Sequence, residues 1–261
     1  MKSLAVCAAA AALVIVGCGS ADRIIVAAGT TLVDSGAAAA LVDAYEKETG
    51  LAVSVVGVSS QEALLLLDAG ETAVALTHSP AVERAFALDN PRFMPTPVFS
   101  SRFTLSGPEG SADHFAGMTM EESLRAIHED AVAFVSRNDA SGTAAKEADA
   151  WRAVGLDPDG EPWRTVTGEG MGTTLQVADQ RGAVLLTELG ALLGAENVDV
   201  VAFETVEGSV SLDNPYTMWH EAGSDTEVDR FVQWVLENGA AVLATFAEER
   251  WGAPVYSPVG G

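Results

Sequence analysis

Cysteine is scarce: the 261-residue chain has two, Cys7 and Cys18, both within its first twenty residues. No disulfide framework and no catalytic thiol is available to the rest of the chain. Basic residues are also few, 14 Lys and Arg against 37 Asp and Glu, for a formal net charge of -23. That balance argues against nucleic acid or an anionic membrane surface as the main partner. The acidity is spread along the chain, as a solubility feature would be. There is no EF-hand loop, no Cys/His cluster at metal-ligand spacing and no P-loop lysine. The four histidines, His78, His114, His128 and His220, are scattered and lack a serine or cysteine partner in a catalytic motif, which leaves them surface or capping roles. Sequence repeats and low-complexity segments are absent as well.

What is present begins with a leader. Lys2 precedes an apolar run from Leu4 to Val16, and Ile15-Val16-Gly17-Cys18 has the form of a bacterial lipoprotein signal. The run is short for a transmembrane helix. Residues 1–17 read as a signal peptide and Cys18 as the lipidation site, which puts the mature chain on the extracytoplasmic face of the cell membrane, held by its lipid alone. Loss of residues 1–17 removes only Lys2, leaving 13 basic against 37 acidic residues.

With 48% apolar residues over its full length, the chain can bury a sizeable core. Its pattern is strand, polar turn, helix, repeated, which predicts parallel sheets with right-handed crossovers. Strands are expected at Arg23–Ala27, Leu51–Gly57, Ala73–Thr77, Pro97–Ser106, Ala131–Val135, Trp163–Thr167, Ala183–Thr187 and Val198–Phe203. The turn 29–36 is expected to open a helix that runs to Thr49 and stops at Gly50, and Asn90–Thr96 is expected to be irregular. Ser59 with Glu62, Thr119 with Glu122, and Ser224 with Glu227 have capping-box spacing. The five tryptophans read as packing residues.

The central segment is Ser136-Arg137-Asn138-Asp139-Ala140-Ser141-Gly142-Thr143, between a buried strand and a helix capped by Ser141 or Thr143. Hydroxyls, bare amides and one arginine at a helix start suit an oxyanion. An ordinary capped turn with a solvated Arg137 fits the same octapeptide. Asp139 reads as orienting Arg137 or capping the turn. Four such turns, 29–36, 58–61, 136–143 and 168–174, follow strands at their carboxyl ends, where ligands of open α/β sheets sit. They supply Thr30, Thr31, Ser59, Ser60, Ser141, Thr143, Thr173 and Thr174 as hydroxyl donors, with glycine amides such as Gly172. Arg137 is their only basic side chain. This set suits a small dianion held mainly by neutral donors, since the protein's distant charges are screened beyond roughly 8 Å.

In several blocks the chain resembles the tungstate-binding, sometimes molybdate-binding, proteins that serve ABC importers. They are Thr30-Thr31 with Asp34-Ser35-Gly36, Thr77-His78-Ser79-Pro80, Ser136-Arg137-Asn138-Asp139 with Ser141-Gly142-Thr143, Gly168-Glu169-Gly170-Met171-Gly172-Thr173-Thr174-Leu175, and Asn214-Pro215-Tyr216. The resemblance implies a two-lobed type II periplasmic-binding-protein fold of class α/β, each lobe a mostly parallel sheet flanked by helices. Lobe 1 would hold 22–104 and 206–261, and lobe 2 would hold 105–205. A tungstate- or molybdate-like oxyanion would lie in the cleft, bound by Thr30, Thr31, Ser59 or Ser60, Arg137, Ser141, Thr143, Gly172 and Thr173, with no metal or other cofactor. A monomer handing its ligand to an ABC permease and ATPase is implied, with no enzymatic activity. A sensory module, or a binder of phosphate or a small organic acid, would use the same scaffold. Departures from the family pattern fall at Ala144, where relatives tend to carry histidine, at Leu189, in place of arginine, and at Ser101-Arg102, in place of Asn-Asp. The last two could be the ends of one abandoned ion pair.

Overall fold

The computed structural model describes residues 24–139, 141–221, 223 and 226–259. Cys18 and the rest of the leader lie outside them, as does Ser224 of the expected last cap.

The first lobe opens with β1 (Ile24–Gly29), α1 (Thr30–Asp34), α2 (Ala37–Thr49), β2 (Val53–Val58), α3 (Ser60–Asp68), β3 (Val74–Thr77) and α4 (Pro80–Asp89). β1 pairs in parallel with β2 and β3, as short apolar strands with helical crossovers require. The helix expected after the 29–36 turn is α2, and the turn itself holds the short helix α1, which ends at Ser35-Gly36. Gly36 adopts φ +85°, a left-handed conformation that ends one helix and turns the chain into the next.

β4 (Phe93–Pro108) then crosses between the lobes, and it is longer than expected. The stretch 93–96, read as irregular because of its prolines, is strand, for it pairs antiparallel with β9. Pro95 and Pro97 are accommodated beside a register shift between Pro97 and Phe99.

The second lobe contains α5 (Ala112–Phe115), α6 (Met120–Glu129), β5 (Phe134–Ser136), α7 (Gly142–Ala153), β6 (Arg164–Val166), α8 (Met171–Arg181), β7 (Leu185–Glu188), α9 (Leu189–Gly194) and β8 (Val200–Ala202). The capping box at Thr119 and Glu122 is formed. β5 starts three residues later than expected, because Ala131 has φ +51° and cannot continue a strand. α9 was not expected. β9 (Asp213–Glu221) returns to the first lobe, and α10 (Thr226–Trp251) packs along it.

The main sheet runs β2-β1-β3-β9-β4-β7, with β8 on β4; β1 pairs in parallel with β2 and β3, and the four pairings made by β4 and β9 are antiparallel. β5 pairs in parallel with β6 and bridges to Val184 beside β7. Apolar side chains gather on both sides of the crossing. Leu41, Tyr45, Phe99, Tyr216 and Phe231 belong to one core, and Phe103, Leu105, Leu124, Phe134 and Trp151 to another. Among the described residues, no helix is long and apolar enough to cross a membrane.

Candidate functional site

The octapeptide after β5 folds as a self-braced turn. Asn138 takes φ +48°, which asparagine tolerates better than most residues. The Asp139 carboxylate accepts from Arg137 Nη2 at 2.5 Å and from the Ser141 backbone N–H at 3.1 Å, so it both orients the arginine and closes the turn. Ser141 Oγ accepts from the Ala144 N–H at 3.2 Å and is therefore the N-cap of α7. Arg137 is not solvated. It is 4% exposed, and its Nε and Nη1 have no hydrogen-bond partner among the described residues. Thr143 Oγ1, on the first turn of α7, is also buried without a partner. Leaving buried donors unmade costs about 1–3 kcal/mol each, and more for a charged group. Two such groups on one turn mark a place built for an acceptor.

The neighbouring turns meet this one from both lobes. Gly168 N–H donates to the Arg137 carbonyl at 2.8 Å, which holds the 168–174 turn beside it. From the first lobe comes the β3–α4 turn, pinned by Glu83, whose carboxylate accepts from Thr77 Oγ1 at 2.7 Å and from the Ser79 N–H at 3.0 Å. That turn carries His78. The His78 N–H donates to Ser60 Oγ at 3.3 Å, and Thr31 Oγ1 lies 3.5 Å from His78 Nε2. A Cβ on Gly142 would sit 2.9 Å from the His78 carbonyl oxygen, so the start of α7 rests on His78 across the cleft. Asp34, on α1, feels Arg137 as well: burial pushes its carboxyl up, and the guanidinium pulls it partly back.

The expected donors separate into groups. Thr31 and Thr143 are buried at the meeting point, and Thr30 is half-buried beside Thr31. Ser59 accepts from the Glu62 N–H as the α3 cap, Ser60 serves the His78 N–H, and Ser141 serves its own helix. Gly172 and Thr173 are exposed on the first turn of α8, while Thr174 bonds within its turn to the Gly170 carbonyl and Thr167 Oγ1.

The structure corrects the surface-or-cap reading for two histidines, of which His220 is 4% exposed with its Nε2 3.1 Å from Asp229 Oδ1. His78 is 4% exposed, neither a surface residue nor a cap, and belongs to a buried polar network that composition did not reveal. Glu188, fully buried at the end of β7, accepts from Ser101 Oγ at 2.8 Å and from Tyr216 OH at 2.8 and 2.9 Å. Burial first, and the Glu188 charge second, hold the Tyr216 phenol well above its ordinary pKa, so it is a neutral donor. The only signal for this network was the Thr77–Pro80 and Asn214–Tyr216 blocks of the resemblance. Arg102 and Leu189 each stand one position beyond the Phe103–Glu188 pair of the β4–β7 ladder.

Residues 17–238 match the family model described as a PBP superfamily domain. A tungstate-binding protein, TupA, of Campylobacter jejuni is 30% identical over 209 residues, covering 75% of this chain and 76% of that protein. The chain belongs to this family. The TupA protein of Peptoclostridium acidaminophilum is 29% identical over 90% of the chain and 85% of its own length. A crystal structure described as the tungstate ABC transporter from Geobacter sulfurreducens superposes with a TM-score of 0.75 at 27% identity, over 86% of this chain and 98% of that one. The fold of these PBP-like relatives is the two-lobed one described above.

Among the described residues, no group of three or more His, Cys, Asp or Glu side chains could hold a metal ion.

Proposed function

We propose that the chain is a lipid-anchored solute-binding protein that captures a tetrahedral oxyanion, tungstate or molybdate, between its lobes and delivers it to an ABC permease. The carrying observation is the pairing of buried, unpartnered Arg137 Nε and Nη1 with buried, unpartnered Thr143 Oγ1 on one turn. These are donors of the kind an oxyanion satisfies, and Asp139 already offsets part of the arginine's charge. The printed names of the relatives support the same ligand class. Thr30 and Thr31 would donate from the first lobe, with Gly172 and Thr173 at the rim. The lobes would divide as 22–104 with 206–261 and 105–205, the chain acting as a monomer. The anchor rests on the lipobox at Cys18, outside the described residues.

Ligand that binds only the folded state stabilises it by RT ln(1 + [L]/Kd), about 2.7 kcal/mol at a hundredfold excess over Kd. A thermal-shift panel therefore tests the proposal. Tungstate and molybdate should raise Tm well above the effect of equal sulfate, phosphate or small carboxylates. A shift confined to phosphate or a carboxylate would contradict it.

A further inference from the structure

The inference that follows rests on the oxyanion reading and concerns His78, which that reading leaves without a task. The ring stacks on Tyr216, centroids 4.9 Å apart. Its Nδ1 lies 3.1 Å from Asn214 Oδ1 and 3.9 Å from Glu188 Oε2, and its Nε2 lies 3.5 Å from Thr31 Oγ1. The backbones of Gly29 and Gly142 close over it, since a Cβ on either would stand 3.1 Å or less from a His78 atom.

The hydrogen-bond directions follow in sequence. Asn214 Nδ2 donates to Ser101 Oγ at 3.1 Å, and Ser101 Oγ donates to Glu188. Asn214 therefore turns its oxygen, a pure acceptor, to His78, whose Nδ1 must carry a proton. Tyr216 gives its one proton to Glu188, so toward Thr31 Oγ1, 3.3 Å away, it can only accept. When His78 is neutral, its Nε2 is also an acceptor. The single proton of Thr31 then faces two acceptors inside the protein. Protonation of Nε2 reverses one of them: the imidazolium donates to Thr31 Oγ1, and the hydroxyl proton is left with Tyr216 OH, 3.3 Å away, as the single internal acceptor a ligand must outcompete.

Charge points the same way. Glu188 is fully buried and its hydrogen-bond partners are the neutral Ser101 and Tyr216. Arg137 is offset by Asp139. On its outer side His78 borders a groove of about 160 Å³, where Arg84 and Lys146 face Asp149 and Asp213. A dianion accepting from Thr31 would add negative charge next to the Tyr216–Glu188 pair, where the group among those named that can gain a positive charge is His78.

We propose that His78 is the positioning residue of the oxyanion site, taking up one proton at Nε2 as the dianion enters and thereby directing the Thr31 hydroxyl to it. The balance is simple: one dianion and one solvent proton are bound, and no ligand bond breaks.

The test is titration calorimetry of the full chain with sodium tungstate near pH 7.5, in two buffers of different ionisation enthalpy. The parent should take up close to one proton per tungstate, and its Kd should rise up to tenfold per unit as pH increases through the linked range. His78→Gln keeps a donor at that end of the side chain but does not titrate, and should bind without proton uptake and with a Kd flat in pH. Thr31→Val, which removes the hydroxyl to be directed, should also lose the uptake. A packing role alone would leave the proton count unchanged. Tungstate binding by the parent without proton uptake, or uptake undiminished in either variant, would overturn the proposal while leaving the oxyanion reading intact. No tungstate binding by the folded parent would overturn both.

Discussion

A methyl group on Gly142 would stand 2.9 Å from the His78 carbonyl oxygen, so the second lobe can rest on the first only because residue 142 is glycine. The obstacle is backbone, and it cannot rotate away. Gly142 is helical, and alanine favours helix over glycine by about 1 kcal/mol. The clash outweighs that gain, so Gly142→Ala should lower the ligand-free Tm and weaken oxyanion binding at least tenfold. Calorimetry and thermal melts of the one variant read both effects.

Arg137 supplies charge-assisted hydrogen bonds, which contribute about 1.5–3 kcal/mol. Arg137→Ala should cost at least tenfold in oxyanion affinity. Arg137→Lys should recover only part, because a point charge replaces a planar fork braced by Asp139. An alanine variant binding as tightly as the parent would remove Arg137 from the site.

Two hydroxyls two residues apart should behave oppositely. Ser141 caps α7, so Ser141→Ala should lower stability by about 0.5–2 kcal/mol. Thr143 Oγ1 has no internal partner among the described residues, so Thr143→Ala should leave the ligand-free melt nearly unchanged and shrink the ligand-induced shift. Paired melts with and without tungstate check the contrast.

Glu147, one turn beyond Thr143 on α7, is buried with Ser136 and Arg164, and burial pushes its carboxyl up to about 7. A folded-state pKa above the unfolded one means that the folded protein holds the extra proton. The associated stability is full below the unfolded carboxyl's pKa, about 4.3, and is lost as pH rises through about 7. The parent's Tm should carry that decline, and the Glu147→Gln profile should lack it. Equal slopes in the two profiles between pH 5 and 8 would contradict the assignment.

Much of this was legible in the chain. Period and capping signals marked β1, β3, α6 and α8 because each is a local pattern, and the Ser141 cap was one of two candidates in plain sight. Pro91 and Pro95 hid the first four residues of β4, 93–96, since pairing with β9 more than 110 residues later outweighs what proline forbids locally. The short helix α1 was missed because five residues between Gly29 and Gly36 also read as a polar turn. Arg137 and Thr143 stood out as residue types on a turn. The His78–Asn214–Ser101–Glu188–Tyr216 network did not, because its members come from four separate strands and turns and none is unusual by itself.

The most direct measurement is a crystal structure of the protein grown with tungstate, with tungsten located by its anomalous scattering. A single site is predicted between the lobes, its oxygens about 2.7–3.2 Å from Arg137 Nε or Nη1 and from Thr143 Oγ1. A tungsten peak elsewhere, with those donors still unpaired, would contradict the account.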